Sequence, residues 1–313
     1  MGKNYLSTKK DYVEKVIPIV VTYNPDMNRL AALFNSLSLF KVVQLVDNNS
    51  DNIDELKKRC SKYENINPCF LASNVGLAEA QNKAVEQLEG DVSNDKFILL
   101  LDQDSVPLDD CIEVLHQYAT SLIAGGVRLG VIGPALSDSY SDSRFGFIKN
   151  GRRRYKQTSK NHTFECDGIN SSGSLIPLAV WQELNGNNSE LFIDHVETDW
   201  CFRVIAAGYV CYGTFDALLS HSMGESTIKY WLFGQKSMPD RAPKRHYYLF
   251  RNSMFLQKQK YVPRVWKLAN IVKLLFTVCY FSLFSQQKVN HFKNMWIGLS
   301  DGLRGRLGID SRS

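Results

Sequence analysis

Two carboxylates one residue apart close an apolar run, Phe97-Ile98-Leu99-Leu100-Leu101 followed by Asp102-Gln103-Asp104. An Asp-x-Asp on a turn can present oxygens to a hard cation, and Mg²⁺ and Mn²⁺ are held by a few carboxylates together with substrate phosphates. Such an ion neutralises charge gathering on a departing diphosphate, a Lewis-acid role. The same three residues also fit a solvated turn. A second acidic group lies in Phe192-Ile193-Asp194-His195-Val196-Glu197-Thr198-Asp199-Trp200-Cys201-Phe202-Arg203. Acids in the first turn of a helix complement its dipole, and that is the plain reading. The chemical reading makes Glu197 a general base that takes a proton from a hydroxyl, with Asp199 and Arg203 placing it. Arg203 is equally an ion-pair partner. His221, in Ser220-His221-Ser222-Met223-Gly224, is the third candidate. A lone histidine is commonly solvated or structural, but neutral imidazole is a common metal ligand. A cation site begun by Asp102 and Asp104 needs a third ligand from a distant segment.

These groups need elements to hold them. Val16 to Val21 (VIPIVV) is β-branched and predicts a buried strand, broken by Asn24-Pro25-Asp26. Leu30, Leu33, Phe34 and Leu37 then recur at helical spacing. Val42 to Val46 predicts a second strand ending in Asp47-Asn48-Asn49-Ser50, followed by a helix over Asn52 to Cys60. Phe70-Leu71 is a weak third strand before Asn74-Val75-Gly76, and Leu77 to Leu88 a helix. Phe97 to Leu101 is the fourth strand. Strands alternating with helices imply right-handed crossovers and a mainly parallel sheet, with ligands beyond the carboxyl ends of the strands. Thr22 to Asn24, Asp47 to Asn49, Asn74 to Gly76 and Asp102 to Asp104 all follow strands, so the expectation is a single site at that edge.

Further along, Ser137 to Lys160 predicts a loop or hairpin, Cys166 to Pro177 a turn and strand, and Val180 to Leu184 the start of a helix. Asp199 to Ala207 predicts a helix capped by Gly208, followed by a strand over Tyr209 to Tyr212. Residues 223 to 245 read as a loop, and His246 to Trp296 as an aromatic, basic, helical region.

Composition narrows the class. The 313 residues are 44% hydrophobic and 22% charged, which suits a folded chain rather than a disordered one. The net charge of +5 is unevenly spread: residues 241–313 carry 14 Lys and Arg against Asp301 and Asp310, leaving the remainder at −7. A basic tail on an acidic body suits an anionic surface or a phosphate-rich ligand, or else is only a solvated face. Seven cysteines without a Cys-x-x-Cys pair suit a reducing cytosol and offer no zinc site. The polar stretch before Lys15 lacks an apolar export signal.

Taken together, Val20-Val21-Thr22-Tyr23-Asn24-Pro25, Val46-Asp47-Asn48-Asn49-Ser50, Asn74-Val75-Gly76-Leu77-Ala78 with Asn82, and Leu101-Asp102-Gln103-Asp104-Ser105 resemble family 2 glycosyltransferases. Phe192-Ile193-Asp194, Glu197-Thr198-Asp199-Trp200-Cys201, Arg203, His221-Ser222-Met223-Gly224, Tyr247-Tyr248 and Arg251-Asn252 extend the resemblance. The Gln of the Asp-x-Asp and the Asp-Trp-Cys helix start are similar to the bacterial rhamnosyltransferase branch. The resemblance implies a GT-A fold, Rossmann-like with helices flanking a mainly parallel sheet. It places a catalytic domain over residues 1–240, with a nucleotide-sugar half near 15–105 and an acceptor half near 106–240, and a C-terminal helical region over 241–313. It implies that Thr22, Tyr23, Asn24 and Asp47 hold base and ribose, and that Asn74 and Gly76 line the nucleotide pocket. By the same resemblance Asp102 reaches ribose or metal, Asp104 and His221 bind Mg²⁺ or Mn²⁺, and Arg251 lies near the diphosphate. The family usually has Asp where Glu197 stands, so Asp199 is the second candidate for the base. Inversion in one displacement, dTDP-β-L-rhamnose as donor and an α-L-rhamnosyl product are also implied. The acceptor would be a surface polysaccharide, such as an O-antigen or cell-wall glycan, carried on undecaprenyl diphosphate. Another donor, UDP-galactose or UDP-N-acetylglucosamine, is the alternative.

Ile271 to Phe284 is a 14-residue apolar run containing Lys273, shorter than the roughly 20 residues a membrane span needs. Basic residues beside Trp266 and Trp296 suit a helix lying in the headgroup plane, on the inner face of a bacterial cell membrane. The other readings are a helical subdomain packed on the core or on a second subunit, and a span. A nucleotidyltransferase would want a Gly-rich, basic loop after the first strand, which Thr22-Tyr23-Asn24-Pro25 does not supply. A silent sugar-nucleotide-binding module is disfavoured by the three acidic and imidazole groups together, and no nucleic-acid motif is present. The assignment fails if Asp104 and His221 lie on opposite sides, or if Glu197 is walled off from any cleft.

Overall fold

The computed structural model describes residues 11–88, 95–138, 146–149, 152–154, 162–221, 227–231, 235–239 and 242–312; for 138, 152–154, 221, 227–231 and 235–239 it describes the backbone alone. The chain divides into two compact units, Met1–Ser189 with Val196–His221, and Glu190–His195 with Ser222–Ser313. The first unit runs to His221, and six residues before Val196 group with the C-terminal unit.

The first unit opens with α1 (Asp11–Lys15), β1 (Val16–Thr22), α2 (Met27–Ser36), β2 (Val43–Asp47), α3 (Ile53–Cys60), β3 (Ile66–Phe70), α4 (Leu77–Glu86) and β4 (Phe97–Asp102). Strands β3-β2-β1-β4 are adjacent and parallel. The apolar runs are continuous because both faces are covered. Val20, Leu99 and Leu101 pack with Leu30, Leu33 and Phe34 of α2 on one face. Their sequence neighbours Ile19, Ile98 and Leu100 pack with Ala80 and Ala84 of α4 on the other. Each of these large side chains contributes about 1.5–3 kcal/mol on burial, the alanines less. Asp26 ends the loop after β1: its carboxylate accepts from the amides of Asn28 and Arg29, which caps α2 and holds the Asp26 pKa below its usual range.

The unit continues with β5 (Ser105–Pro107), α5 (Cys111–Ala124), β6 (Leu129–Asp138), β7 (Phe147–Lys149), β8 (Arg152–Arg154), β9 (Thr163–Cys166), β10 (Leu175–Pro177), α6 (Leu178–Glu183), α7 (Val196–Ala206) and β11 (Val210–His221). The full order is β3-β2-β1-β4-β10-β6-β11-β5, with β9 also on β11. Here the sheet is mixed. β10 lies antiparallel between β4 and β6, β11 is parallel to β6, and β5 is antiparallel to β11. Neither the place of β10 nor the length of β11, expected to stop near Tyr212, follows from local pattern. β11 runs on through a register shift between Thr214 and Leu218 to reach β5. β7 and β8 form the hairpin expected within 137–160.

The second unit holds β12 (Thr227–Trp231), β13 (Gln235–Pro239), α8 (Pro243–Lys258), α9 (Arg264–Phe284) and α10 (Lys288–Arg304). The stretch expected to be a loop therefore contains an antiparallel hairpin, β12–β13. α10 packs closely on α8 because Gly298 and Gly302, one turn apart, let backbone approach: a Cβ at these positions would sit 2.3 Å from Tyr247 O and 2.4 Å from Arg251 O. His246 and His291 meet beside Phe281 with their Nδ1 atoms 2.8 Å apart.

His116 of α5 is buried beside Phe97, and among the described residues its Nε2 has no hydrogen-bond partner. Burial lowers its pKa below the ordinary 6.5. The unfolded chain then binds the proton more tightly, so stability falls as pH drops through 6.5 toward the folded-state value. His116→Met is expected to flatten that part of the profile in thermal unfolding followed from pH 7.5 to about pH 5; an unchanged slope counts against this origin.

Candidate active site

The parallel strands end flush. Thr22 is level with Asp47, Val21 with Asp102, and Asp47 with Phe70. The four polar segments that follow therefore share one edge of the first unit. They are tied to one another rather than merely adjacent. The Asp47 carboxylate, wholly buried, accepts from Thr22 Oγ1 at 2.8 Å, from the Ser50 amide at 2.9 Å and from Ser50 Oγ. Ser50 Oγ in turn accepts from the Asn24 amide at 2.8 Å, and Asn24 Oδ1 accepts from the Asp51 amide at 2.7 Å. Asn24 and Asn49 both adopt positive φ, a conformation Asn tolerates better than most residues. Asn48 Oδ1 accepts from the Val75 amide, which fastens the 74–76 turn to β2. Asn74 Oδ1 accepts from the amide of Gly76, whose φ of 87° suits glycine.

Thr22 and Asp47 were expected to touch base and ribose. Both are fully buried, with their side chains bonded to each other. They shape the edge from beneath, whereas Tyr23, at 48% exposure, and Asn24 face solvent.

The Asp-x-Asp is built into the same edge. Gln103 clamps the backbone of Tyr23, accepting from its amide at 2.7 Å and donating to its carbonyl at 3.1 Å. The Asp102 amide donates to Ser172 Oγ at 2.9 Å. Ser172 is buried in a tight turn where Gly173 has φ 86°. Asp102 and Asp104 are both partly exposed. The Ser105–His221 pairing brings the backbone of His221 alongside the residue after Asp104. The two are therefore on the same edge; the His221 side chain lies outside the described residues. Among the described residues no three His, Cys, Asp or Glu side chains converge as a metal cluster. The backbone pairing alone sets residue 221 beside the turn that carries Asp104.

Glu197 and Asp199, two residues apart on α7, have opposite environments. Asp199 is completely buried and receives Arg203 Nε at 2.7 Å. Arg203 also donates to the carbonyls of Leu184 and Gly186 at 3.0 and 2.8 Å. Asp199, the second candidate for the base, has no exposed surface and is tied to Arg203 within α7. Glu197 is partly exposed and lines a narrow cavity with Leu100, Ser171, Asn187 and Trp200. Behind that cavity Gln81 joins Ser171 Oγ at 3.2 Å and Asn187 at 2.7 Å, and Asn82 holds the Asn187 backbone at both its amide and carbonyl.

Arg251, expected near a diphosphate, is enclosed by protein groups. Its guanidinium is 0% exposed, lies beside the Tyr247 and Tyr248 rings, and donates to the carbonyls of Glu190, Leu191 and Gly308 and to Asn252 Oδ1. Asn252 donates to the carbonyls of Leu191, Ile193 and Asp194 at 2.8–2.9 Å. In the second unit these two side chains fasten residues 190–195, where Phe192, Asp194 and His195 all take positive φ. Arg251 is thus a structural staple. Its fixed fork suits carbonyl oxygens as well as phosphate.

Sequence inspection missed Gln103, Ser172, Gln81 and Asn187 as supports. The Ser171-Ser172-Gly173-Ser174 run was the available signal, a small-residue turn where backbone must approach closely. A larger cavity of about 460 Å³ opens at the amino ends of the strands, lined by residues including Glu14, Lys41, Gln44 and Lys96. It is at the wrong edge for the polar segments, and we assign it no chemistry.

Comparison with known proteins bears on this geometry. The profile of the family described as Glycosyl transferase family 2 matches residues 19–171, the span that carries all four polar segments. The dTDP-rhamnosyl transferase RfbF of Shigella flexneri is 27% identical over 298 residues, covering 94% of this chain and 97% of that protein. A crystal structure of GalNAc-T7 with UDP, GalNAc and Mn²⁺ superposes with a TM-score of 0.55 at 11% identity, over 93% of this chain and 56% of that one, a likeness of fold alone. The chain is a glycosyltransferase of GT-A fold, and its residues 19–171 match glycosyl transferase family 2.

Proposed function

We propose that this enzyme transfers L-rhamnose from dTDP-β-L-rhamnose, with inversion in one displacement, to a polysaccharide acceptor carried on a lipid diphosphate at the cytoplasmic face of a bacterial membrane. The observation that carries the reading is the interlocked carboxyl edge, where the Tyr23, Asn74 and Asp102 segments meet. The dTDP-rhamnosyl function named for the Shigella flexneri relative, which aligns along nearly the whole chain, supports the choice of donor. A UDP sugar is the competing donor.

In this reading Tyr23, Asn24, Asn74 and Gly76 line the nucleotide site, and Thr22 and Asp47 keep the Asn24 turn in shape from below. Asp102, Asp104 and His221 would hold a divalent ion, Mg²⁺ or Mn²⁺, which when bound supplies positive charge at the diphosphate oxygens. Glu197 takes the proton from the acceptor hydroxyl as that oxygen attacks the anomeric carbon, and the nucleoside diphosphate leaves from the opposite face. Asp199 and Arg203 hold α7 so that Glu197 meets the acceptor in one orientation. A free hydroxyl is a poor nucleophile, which is why the partly exposed carboxylate is the better base of the two.

Three outcomes test this. Glu197→Gln should lower kcat by roughly 10²–10⁴-fold with little change in the Kd for dTDP; Asp199→Asn should lower thermal stability instead, and the reverse pattern would exchange their roles. Asp104→Ala should abolish transfer from dTDP-rhamnose and the Mn²⁺ dependence of dTDP binding by calorimetry; full metal-independent turnover would remove the cation from the reading. Gln103→Ala, which removes two hydrogen bonds to Tyr23 of about 1 kcal/mol each, should weaken dTDP binding by roughly tenfold and lower the unfolding free energy by no more than about 2 kcal/mol. Tighter binding of UDP than of dTDP by the wild-type protein would replace the donor.

A further inference from the structure

Twelve of the twenty large hydrophobic side chains exposed among the described residues sit on two helices of the second unit, α9 and α10. They are not scattered. On α9 the exposed Val265, Leu268, Ile271, Val272, Leu275, Phe276 and Leu283 fall on one broad helical face, with Phe284 beside it at the last turn. The opposite face, with Asn270, Leu274, Thr277 and Phe281, is buried. α10 repeats the pattern, with Val289, Phe292, Trp296 and Leu303 exposed and His291, Met295, Gly298 and Gly302 buried. The helices follow each other through Ser285, Gln286 and Gln287 and pack together.

We propose that α9 and α10 lie side by side in the headgroup plane of an anionic lipid bilayer, with these two stripes immersed and neither helix crossing. The proposal deepens the reading of an enzyme that serves a lipid-held acceptor, and it rests on that reading for its purpose. Charge selects the occupant. From Arg264 to Arg304 the two helices carry six Lys and Arg and one acid, Asp301, which is buried and already engaged by Arg306 and Arg312. Arg264, Lys273, Lys288, Lys293 and Arg304 are all exposed. Basic side chains beside an apolar stripe match acyl chains beneath phosphate headgroups. A second copy of the same surface would set like charges against each other. Trp296, 64% exposed, suits the interface between headgroups and acyl chains.

α9 has the length and composition of a membrane span, 21 residues with mean hydropathy 1.5 over its best window. Its inner face argues against one. Leu274, Tyr280 and Phe281 share a core with Leu249 and Phe250 of α8 and Met295 of α10, and a crossing helix would have to leave it. Asn270 and Thr277 on that face are no better suited to acyl chains.

The test is cosedimentation of the full-length protein with vesicles of phosphatidylglycerol and phosphatidylcholine in equal parts, against phosphatidylcholine alone. Binding is expected only with phosphatidylglycerol, weakening with salt, and falling at least about tenfold in Leu268→Glu with Val272→Glu and separately in Trp296→Glu. All three positions are exposed, so circular dichroism and dTDP calorimetry should match wild type. Undiminished vesicle binding by the variants overturns the proposal. Retention in the membrane after an alkaline wash does so in favour of a span. Absence of vesicle binding, with a dimer in light scattering that the same variants split, does so in favour of a second copy. Loss of dTDP binding by the wild-type protein would instead strike the catalytic reading and leave the vesicle result standing.

Discussion

A strand covered on both faces has no place for a polar side chain except at its ends. In β1, β2 and β4 the alternating positions belong to two separate cores, so the polar residues sit toward the strand ends, with Thr22, Asp47 and Asp102 at the carboxyl edge. Parallel pairing makes those ends coincide in space, and the crossover helices keep the opposite edge apart. The site is a consequence of this packing. Remove the flush register of Thr22, Asp47 and Asp102, and the polar segments would still exist but would not meet.

Meeting is not enough for binding, since loops at a sheet edge are free to move unless something holds them. Here short polar side chains do so. Asp47 organises Thr22 and Ser50, Ser50 holds Asn24, and Gln103 grips the backbone of Tyr23 across the edge. A buried carboxylate with several donors is costly to disturb, so the Asn24 turn has little freedom to relax away. Residues that resemble ligand contacts by motif thus split into two kinds, those that face solvent and those that keep the first kind in place.

The C-terminal unit uses the same economy for another end. Arg251 and Asn252 donate to carbonyls of a turn with three non-glycine residues at positive φ, a conformation that persists only when its surroundings overdetermine it. Gly298 and Gly302 draw α10 onto α8, and the inner face of α9 completes a small core. With those faces filled, the outer stripes of α9 and α10 are what remains for a partner.

The periodicity of the chain determined the first four strands, the helices between them and the edge on which the polar segments lie, because hydrophobic period and crossover handedness are local or nearly local properties. The resemblance that pointed to the GT-A class drew on motifs as far along as Arg251-Asn252. Tertiary structure alone decided the rest. β10 inserts antiparallel between β4 and β6, a pairing across many residues that three apolar residues cannot announce. β11 continues past a register shift to bring the backbone of His221 beside Ser105, which no local pattern reports. Burial, too, is a property of the whole: Arg251 and Asp199 carry the same charges as ligand-binding residues, and only the surrounding carbonyls and the Arg203 guanidinium reveal that they are consumed within the protein. A side chain's chemistry is written in its type, but its availability depends on what the rest of the chain packs against it.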